Sequence, residues 1–398
     1  VGGGHAGAEL AHSLRKEGFE GRVVLASDEP HVPYQKPPLS KDYLKGGGGE
    51  PLLLKAEALY AKMGIELKLG ARIAEIDRSG RSVRFEDGES LVYDHLVLAT
   101  GARNRRPPVP GLDDPAVMEL RGLDHCRMIL SRAPDLEHVA VVGAGFIGLE
   151  MAAFLRGAGK AVDVVEMAGR VMARAVSEPV SDYFLALHRR MGTDIHLNTG
   201  VTGVRHEGAR AMVDLSDGGA LEAGAVLIAA GVVPNVELAR EAGLEVGDGI
   251  VVDEMLLTSD PAISAIGDCA FFPSPYAGTS VRLESVQNAN DQARAVAKRL
   301  TGNPAPYTNL PWFWSNQGPA RLQIAGLSTG YDETVLRGLP ADDKFSVFLY
   351  RQGRLIAVES VNASGDHMAA RRLIEKGVAV PPEAAADPST DLKAMAMA

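Results

Sequence analysis

Two short glycine-rich stretches carry the residues best placed to do chemistry: Gly2-Gly3-Gly4-His5-Ala6-Gly7 and Gly143-Ala144-Gly145-Phe146-Ile147-Gly148. Both fit the spacing Gly-x-Gly-x-x-Gly. The first glycine of each (Gly2, Gly143) permits a tight turn. The second (Gly4, Gly145) lets the backbone approach a pyrophosphate, and the third (Gly7, Gly148) lets a helix pack closely on a strand. The helix that begins there turns free N–H groups and the positive end of its dipole toward phosphate. An acid ends the strand that follows each stretch: Asp28, with Glu29 beside it, and Glu166. A carboxylate at that place accepts from a ribose hydroxyl. Glu166 would also repel a 2′-phosphate, which favours NADH over NADPH, although Arg170 is near enough in sequence to hold one. Two dinucleotide sites in one chain are what moving a hydride between nicotinamide and flavin requires.

Other residues add to this set. Ile266-Gly267-Asp268 ends an apolar run with a carboxylate that can reach a ribityl or ribose hydroxyl. Glu150 falls on the first turn of the second fingerprint helix, where a dipole-stabilised surface acid is the bland alternative to a functional one. Trp312 and Trp314 alternate, so an extended segment puts both on one face, either as core anchors or beside a flavin. No Cys-x4-Cys follows the first fingerprint; the corresponding stretch reads Tyr34-Gln35-Lys36-Pro37-Pro38-Leu39-Ser40-Lys41. With no internal dithiol to receive them, electrons must leave a flavin for an external acceptor. The ten histidines form no metal-binding pattern.

These residues need two α/β units to hold them. The first reads as Val1, the glycines, a helix from Ala8 to Glu17 and a strand from Arg22 to Ala26. Only Val1 stands where a strand should precede Gly2, so further residues upstream are expected. The second opens on the continuous apolar strand Val139 to Val142, typical of a parallel sheet, with a helix from Ile147 to Gly157 and a strand from Ala161 to Glu166. Leu96 to Gly101, containing Ala99-Thr100-Gly101, and Val226 to Gly231 are matching strands that end in glycine, so the arrangement occurs twice. Gly46 to Gly49 reads as a loop. From Pro311 onward, four strands (Arg321–Ala325, Thr334–Arg337, Phe345–Tyr350, Arg354–Val361) and a helix from His367 to Lys376 read as an antiparallel sheet with a helix. A loosely held tail is expected from Pro381. The expected fold is α/β, with two Rossmann-like dinucleotide-binding domains of the glutathione-reductase kind and a C-terminal α+β domain. The domains divide as 1–110 with 237–308, then 111–236, then 309–398.

Bulk properties agree with an enzyme of this kind. Apolar residues make up 46% of the 398 residues and charged residues 23%. No apolar run reaches the roughly 20 residues that span a bilayer. The net charge of −10 argues against a nucleic-acid partner. Cys126 and Cys269 stand far apart and read as buried structural residues. With no charged-then-apolar leader before Gly2, they point to the cytoplasm.

On the stretches Pro37-Pro38-Leu39-Ser40-Lys41, Ala99-Thr100-Gly101, Gly143 to Glu150, Gly267-Asp268-Cys269-Ala270, Glu284 to Ala289 and Pro311 to Ser315, the chain resembles a known family. It is the FAD-containing, NADH-dependent ferredoxin reductases of bacterial cytochrome P450 and ring-hydroxylating dioxygenase systems, the putidaredoxin-reductase type. The resemblance covers nearly the whole chain. It implies FAD contacts at Gly2, Gly4, Ala6, Gly7, Asp28, Lys41, Ile73, Ala99, Thr100, Gly101, Arg121, Gly267, Asp268, Glu284, Val286 and Trp314. It implies an NADH site at Gly143, Gly145, Ile147, Gly148, Glu150, Glu166 and Gly231. Lys41 would lie near flavin N5, paired with Glu150 where nicotinamide docks, as the catalytic pair. Trp314 would face the iron–sulfur partner, a small [2Fe–2S] ferredoxin. A docking patch is expected on the helix Asn288 to Leu300, which carries Arg294 and Lys298 with Arg299 beside them. Rival readings are an NADH oxidase-like enzyme, which would want a reactive cysteine near the flavin, and an apoptosis-inducing-factor-like flavoprotein. The purified protein is expected to show the visible bands of bound flavin and to bleach on adding NADH. A protein that stays colourless after reconstitution with FAD would overturn the two-site reading.

Overall fold

In a computed structural model that describes residues 1–46, 49–208 and 210–397, the chain forms two compact units. One comprises Val1–Lys36, Pro51–Arg103 and Val233–Pro311, and the other Pro37–Glu50, Asn104–Val232 and the chain from Trp312 onward. Of the expected glycine loop, Gly47 and Gly48 lie outside the described residues.

The first unit is built around Val1. Its amine donates to Val97 O (2.7 Å), its carbonyl accepts from Ala99 N–H (2.7 Å), and Gly2 N–H donates to Ala26 O (2.7 Å). Val1 therefore holds the place of a central strand between Val23–Ala26 and Leu96–Leu98. Outside these, Val23–Ala26 pairs in parallel with Ile65–Lys68, and Leu96–Leu98 with Ile263–Ala265. The chain thus crosses to both sides of its first strand, which is the doubly wound order. The helix His5–Lys16 packs against the helix Val286–Leu300. It begins three residues before Ala8, because the glycine turn passes directly into helix at the extended residue Gly4.

In the second unit a parallel sheet repeats that order: Asp194–His196, Ala161–Val165, His138–Val142, Ala225–Ile228, Met118–Glu119. Val139, Ala140 and Val141 are each 0% exposed, as a strand covered on both faces requires. The same unit contains a separate antiparallel sheet, in the order Trp312–Gln317, Ala320–Gly326, Arg354–Val361, Lys344–Arg351, Glu333–Leu339. The helix Ser364–Lys376 packs on its middle strands. A three-domain division remains a finer proposal than these two units.

The expectation of a loose tail is corrected. Two short helices, Pro382–Ala386 and Leu392–Met397, bury Ala385, Leu392 and Ala396. Arg337, itself only 9% exposed, donates to the carbonyls of Ala385 (3.4 Å), Asp387, Pro388 (3.2 Å) and Thr390 (3.0 Å). Alanine- and proline-rich composition suggested looseness, but one buried guanidinium with five donors collects the tail's carbonyls.

The antiparallel sheet is tied to the parallel-sheet portion by a buried carboxylate. Glu359 is 0% exposed and accepts from Ser177 N–H at both oxygens (3.0 Å each) and from Ser177 Oγ (2.5 Å). Ser177 is the N-cap of the helix Glu178–Arg190, so Glu359 supplies the negative charge which that helix end favours. Burial pushes the Glu359 carboxyl up to about 7. Its folded-state pKa therefore exceeds the unfolded value, and the folded protein holds the extra proton between about pH 4.5 and 7. Stability conferred by this group is full below that window and is lost as pH rises through it. Wild type is expected to lose up to about 3 kcal/mol across the window relative to Glu359→Gln. Denaturant titrations at pH 4.5 and 7.5 would check this, and parallel pH profiles would refute it.

Candidate functional site

The two fingerprints fold the same way. At Gly2 (φ +113°) an added Cβ would lie 2.1 Å from Ala99 O; at Gly143 (φ +108°) it would lie 2.5 Å from Ala229 O. At Gly7 and Gly148 it would lie 2.0 Å from the carbonyls of Gly2 and Gly143. These four positions are closed to any side chain. Gly4 and Gly145 differ, for an added Cβ there meets nothing within 4 Å. Each is the extended N-cap of a 12-residue helix, and neither caps it with a side chain. The first-turn N–H groups therefore face an open cradle that a Cβ would fill, which is the donor set a dinucleotide pyrophosphate needs. Ala6 is buried, and Ile147 is 41% exposed on the first turn of the second helix. Gly231 follows the strand Ala225–Ile228 in the same unit.

The acids are placed unequally. Glu166 accepts from Ala144 N–H (2.7 Å) and Ala168 N–H (2.8 Å), which clamps it beside the second glycine turn. Arg170 spends its donors on Val176 O (2.8 Å) and Ala173 O (2.6 Å), so its guanidinium is committed to its own loop rather than to a 2′-phosphate. In the first unit, Glu29 accepts from Tyr34 Oη (2.5 Å) and Lys36 Nζ (2.6 Å), whereas Asp28 is exposed at the strand end. The two acids at that strand end thus differ: Glu29 is engaged by side chains, and Asp28 faces solvent.

The remaining first-unit candidates gather near the first fingerprint. A Cβ at Gly267 would lie 3.1 Å from Ala6 Cβ, so the Gly-Asp turn sits on the fingerprint helix. Asp268 follows on the short 3-10 turn Gly267–Cys269, half-buried. Gly267 N–H donates to Gln292 Oε1 (2.7 Å), and Gln292 is fully buried. Ala99 is buried. Thr100 exchanges hydrogen bonds with Asn235 (2.7 and 2.8 Å), whose N–H donates to Gly101 O (2.9 Å). Glu284 accepts from Arg282 (2.5 Å), and Val286 opens its helix behind the Ser285 cap. Ile73 is buried in the core of this unit. Lys41, Arg121 and Trp314 belong to the other unit, where Arg121 is half-buried behind Met118–Glu119.

Glu150 is the site's charge centre, not a surface acid. It is 3% exposed, and its Oε2 accepts from Lys41 Nζ (2.6 Å) and Ser40 Oγ (2.5 Å). Its Oε1 accepts from Ser315 Oγ (2.6 Å). A buried carboxylate needs such donors, and removing one partner of a buried pair is strongly destabilising. Lys41 lies just beyond the one-turn 3-10 segment Pro37–Ser40, so the proline pair sets the loop that delivers the cation. Trp312 and Trp314 share a face with ring centroids 5.6 Å apart, and Phe313 packs at a tilt against Phe146 of the fingerprint helix, with ring centroids 4.6 Å apart. Ser40, Ser315, Asn235 and Gln292 were not foreseen as site residues. For Gln292 a signal existed, four residues after Asn288 on the inner face of one helix.

Both cysteines are buried and free. Burial pushes the Cys126 thiol up to about 11 and raises that of Cys269. On the proposed docking helix, Arg294 and Lys298 are exposed, with Arg294 paired to Glu9 (2.7 Å) and Asp291 (3.2 Å). Arg299 is not part of that face. It turns inward to Met255 O and Ser264 Oγ (2.6 Å), because four-residue spacing aligns 294 with 298 and leaves 299 on the adjoining face.

The pyridine nucleotide-disulphide oxidoreductase model matches residues 1–293, and the reductase C-terminal model matches residues 312–396. The chain belongs to the pyridine nucleotide-disulphide oxidoreductase family. It is 47% identical to rhodocoxin reductase of Rhodococcus erythropolis over 99% of this chain and 92% of that one. Among solved structures, the ferredoxin reductase for the CYP199A2 system of Rhodopseudomonas palustris is similar at TM-score 0.97, 50% identity and coverage of 100% and 98%. The covalent putidaredoxin reductase–putidaredoxin complex is similar at TM-score 0.95, 39% identity and coverage of 99% and 96%. The family's two-dinucleotide architecture matches the paired cradles described above.

Substituting the two kinds of glycine should have different effects. Gly145→Ala is expected to fold with near wild-type stability and to raise KM for NADH about tenfold or more, because its methyl group fills the pyrophosphate cradle. Gly148→Ala is expected to lose several kcal/mol of stability, because its Cβ overlaps Gly143 O. Thermal melts and NADH titrations would separate them; equal losses of stability would refute the distinction.

Proposed function

We propose that this protein is an FAD-dependent ferredoxin–NAD(+) reductase: it takes hydride from NADH and passes single electrons to a [2Fe–2S] ferredoxin that feeds a cytochrome P450 or a dioxygenase. The observations that carry the reading are the uncapped glycine cradles, one in each unit, and the buried Lys41–Glu150 pair of the second unit. FAD, when bound, supplies the conversion of a two-electron hydride into one-electron steps.

The chain's own residues do the rest. Gly143, Gly145 and Gly148 shape the NADH pyrophosphate cradle. Glu166 holds the turn above it and offers its carboxylate to the ribose hydroxyls, so a 2′-phosphate would meet like charge. Gly2, Gly4 and Gly7 shape the FAD cradle, with Asp28 and Asp268 as the acids for its hydroxyls. Glu150 holds the Lys41 ammonium in a nearly dry setting, where a fixed cation stabilises negative charge more than it would in water. Electrons leave for an external carrier because neither thiol is poised to take them. Cys126 and Cys269 are buried with raised pKa, which weighs against the oxidase-like alternative. Among the described residues, no helix is long and apolar enough to cross a membrane. A cytoplasmic setting, with NADH at hand and thiols kept reduced, is part of this reading.

The ferredoxin is proposed to dock on the helix that carries Arg294 and Lys298. NADH-driven cytochrome c reduction should be rapid only when a [2Fe–2S] ferredoxin is added. Arg294→Glu should raise KM for ferredoxin roughly tenfold at low salt, with the difference shrinking as salt rises. Reduction that needs no ferredoxin would overturn the carrier role, and an unchanged KM at low salt would remove Arg294 from the docking face.

A further inference from the structure

A line of buried hydrogen bonds leaves Glu150 on the side away from Lys41. Ser315 Oγ is 2.6 Å from Glu150 Oε1, and Gln317 Nε2 is 3.2 Å from Ser315 Oγ and 3.4 Å from Met172 Sδ. His188 Nε2 is 2.9 Å from Gln317 Oε1. Ser315, Gln317 and His188 are each 0% exposed, so water does not compete for any of these groups.

The line admits one direction. An ionised Glu150 can only accept, so the single Ser315 hydroxyl proton goes to Glu150 Oε1. Ser315 must then accept from position 317, which turns the Gln317 amide nitrogen toward it and the amide oxygen toward His188. His188 must therefore donate through Nε2. Its other nitrogen, Nδ1, is buried with no partner among the described residues, as suits a bare acceptor. Burial also lowers the readiness of this imidazole to take a second proton.

We propose that His188, Gln317 and Ser315 are positioning residues whose one-way chain of donors fixes the rotation of the Glu150 carboxylate and so the place at which Lys41 is held. The torsion that turns a glutamate carboxylate is broad and roughly two-fold, so nothing intrinsic to Glu150 fixes it. Chained hydrogen bonds polarise one another in a dry interior, and here every dipole points its positive end at the carboxylate. This proposal rests on the reading of Lys41–Glu150 as part of the NADH-to-flavin step.

Nitrogen-15 NMR of histidine-labelled holoenzyme reads the direction without turnover. His188 is expected as the neutral Nε2–H tautomer, and an Nδ1–H tautomer would overturn the chain. Stopped-flow reduction of the bound flavin by NADH reads its consequence. Ser315→Ala is expected to slow reduction roughly tenfold with less than about a twofold change in NADH affinity, and Ser315→Thr to restore it. A wild-type rate in Ser315→Ala, with flavin still bound, would sink the positioning role. Should Ser315→Ala not fold, the tautomer still decides. If wild type is not reduced by NADH at all, the functional reading fails while the tautomer is judged on its own.

Discussion

A carboxylate kept from water has to be supplied with donors, and Glu150, carried on the fingerprint helix, draws three from two other stretches of chain. One stretch is the proline-braced loop, which supplies Ser40 and Lys41, and the other is the first strand of the antiparallel sheet, which supplies Ser315. Any one of these elements displaced would leave a buried charge short of partners, which costs several kcal/mol. The second unit therefore holds its catalytic candidates in place through an electrostatic requirement rather than through shape alone. Glu359 makes the same demand elsewhere in that unit, between the same sheet and a helix end. Two buried acids thus join parts of the chain that sequence distance keeps far apart.

The glycine turns work on the opposite principle. They place backbone where side chains are forbidden and leave one position in each turn open. Packing against Ala99 O and Ala229 O sets the turn; the open positions, Gly4 and Gly145, leave room for a ligand. Repetition of that arrangement in both units points to a single solution used twice. In each, the strand whose end touches the turn is the crossover strand next to the first one.

Much of this was legible in the residues because glycine spacing, acid placement and buried apolar runs report backbone requirements directly. The paired cradles, the buried parallel strand Val139–Val142 and the Lys41–Glu150 partnership all rest on such local signals or on motif resemblance. Ser315 and Gln317 were not legible, because a serine and a glutamine in an aromatic strand have no type-specific pattern until the strand's inward face is known. The first helix starts three residues before Ala8, because Gly7 was read as part of the turn where it lies inside the helix. The tail was misjudged for a related reason: composition described its flexibility, but Arg337 acts from some fifty residues away. Arg299 was assigned to an outward face on its charge alone, and only packing shows that its guanidinium caps interior carbonyl and hydroxyl groups.

Arg337 also bears on how the chain is made. A ribosome delivers it, and the sheet strand that carries it, well before the carbonyls of Ala385 to Thr390 exist. Until they emerge, that buried cation has no acceptor but Asp366 and water. The tail can therefore be seated on the antiparallel sheet only after those residues are made. The sheet's completion waits for residues 385–390, and until they arrive the strand Glu333–Leu339, with its outward Leu336 and Leu339, is an unfinished edge.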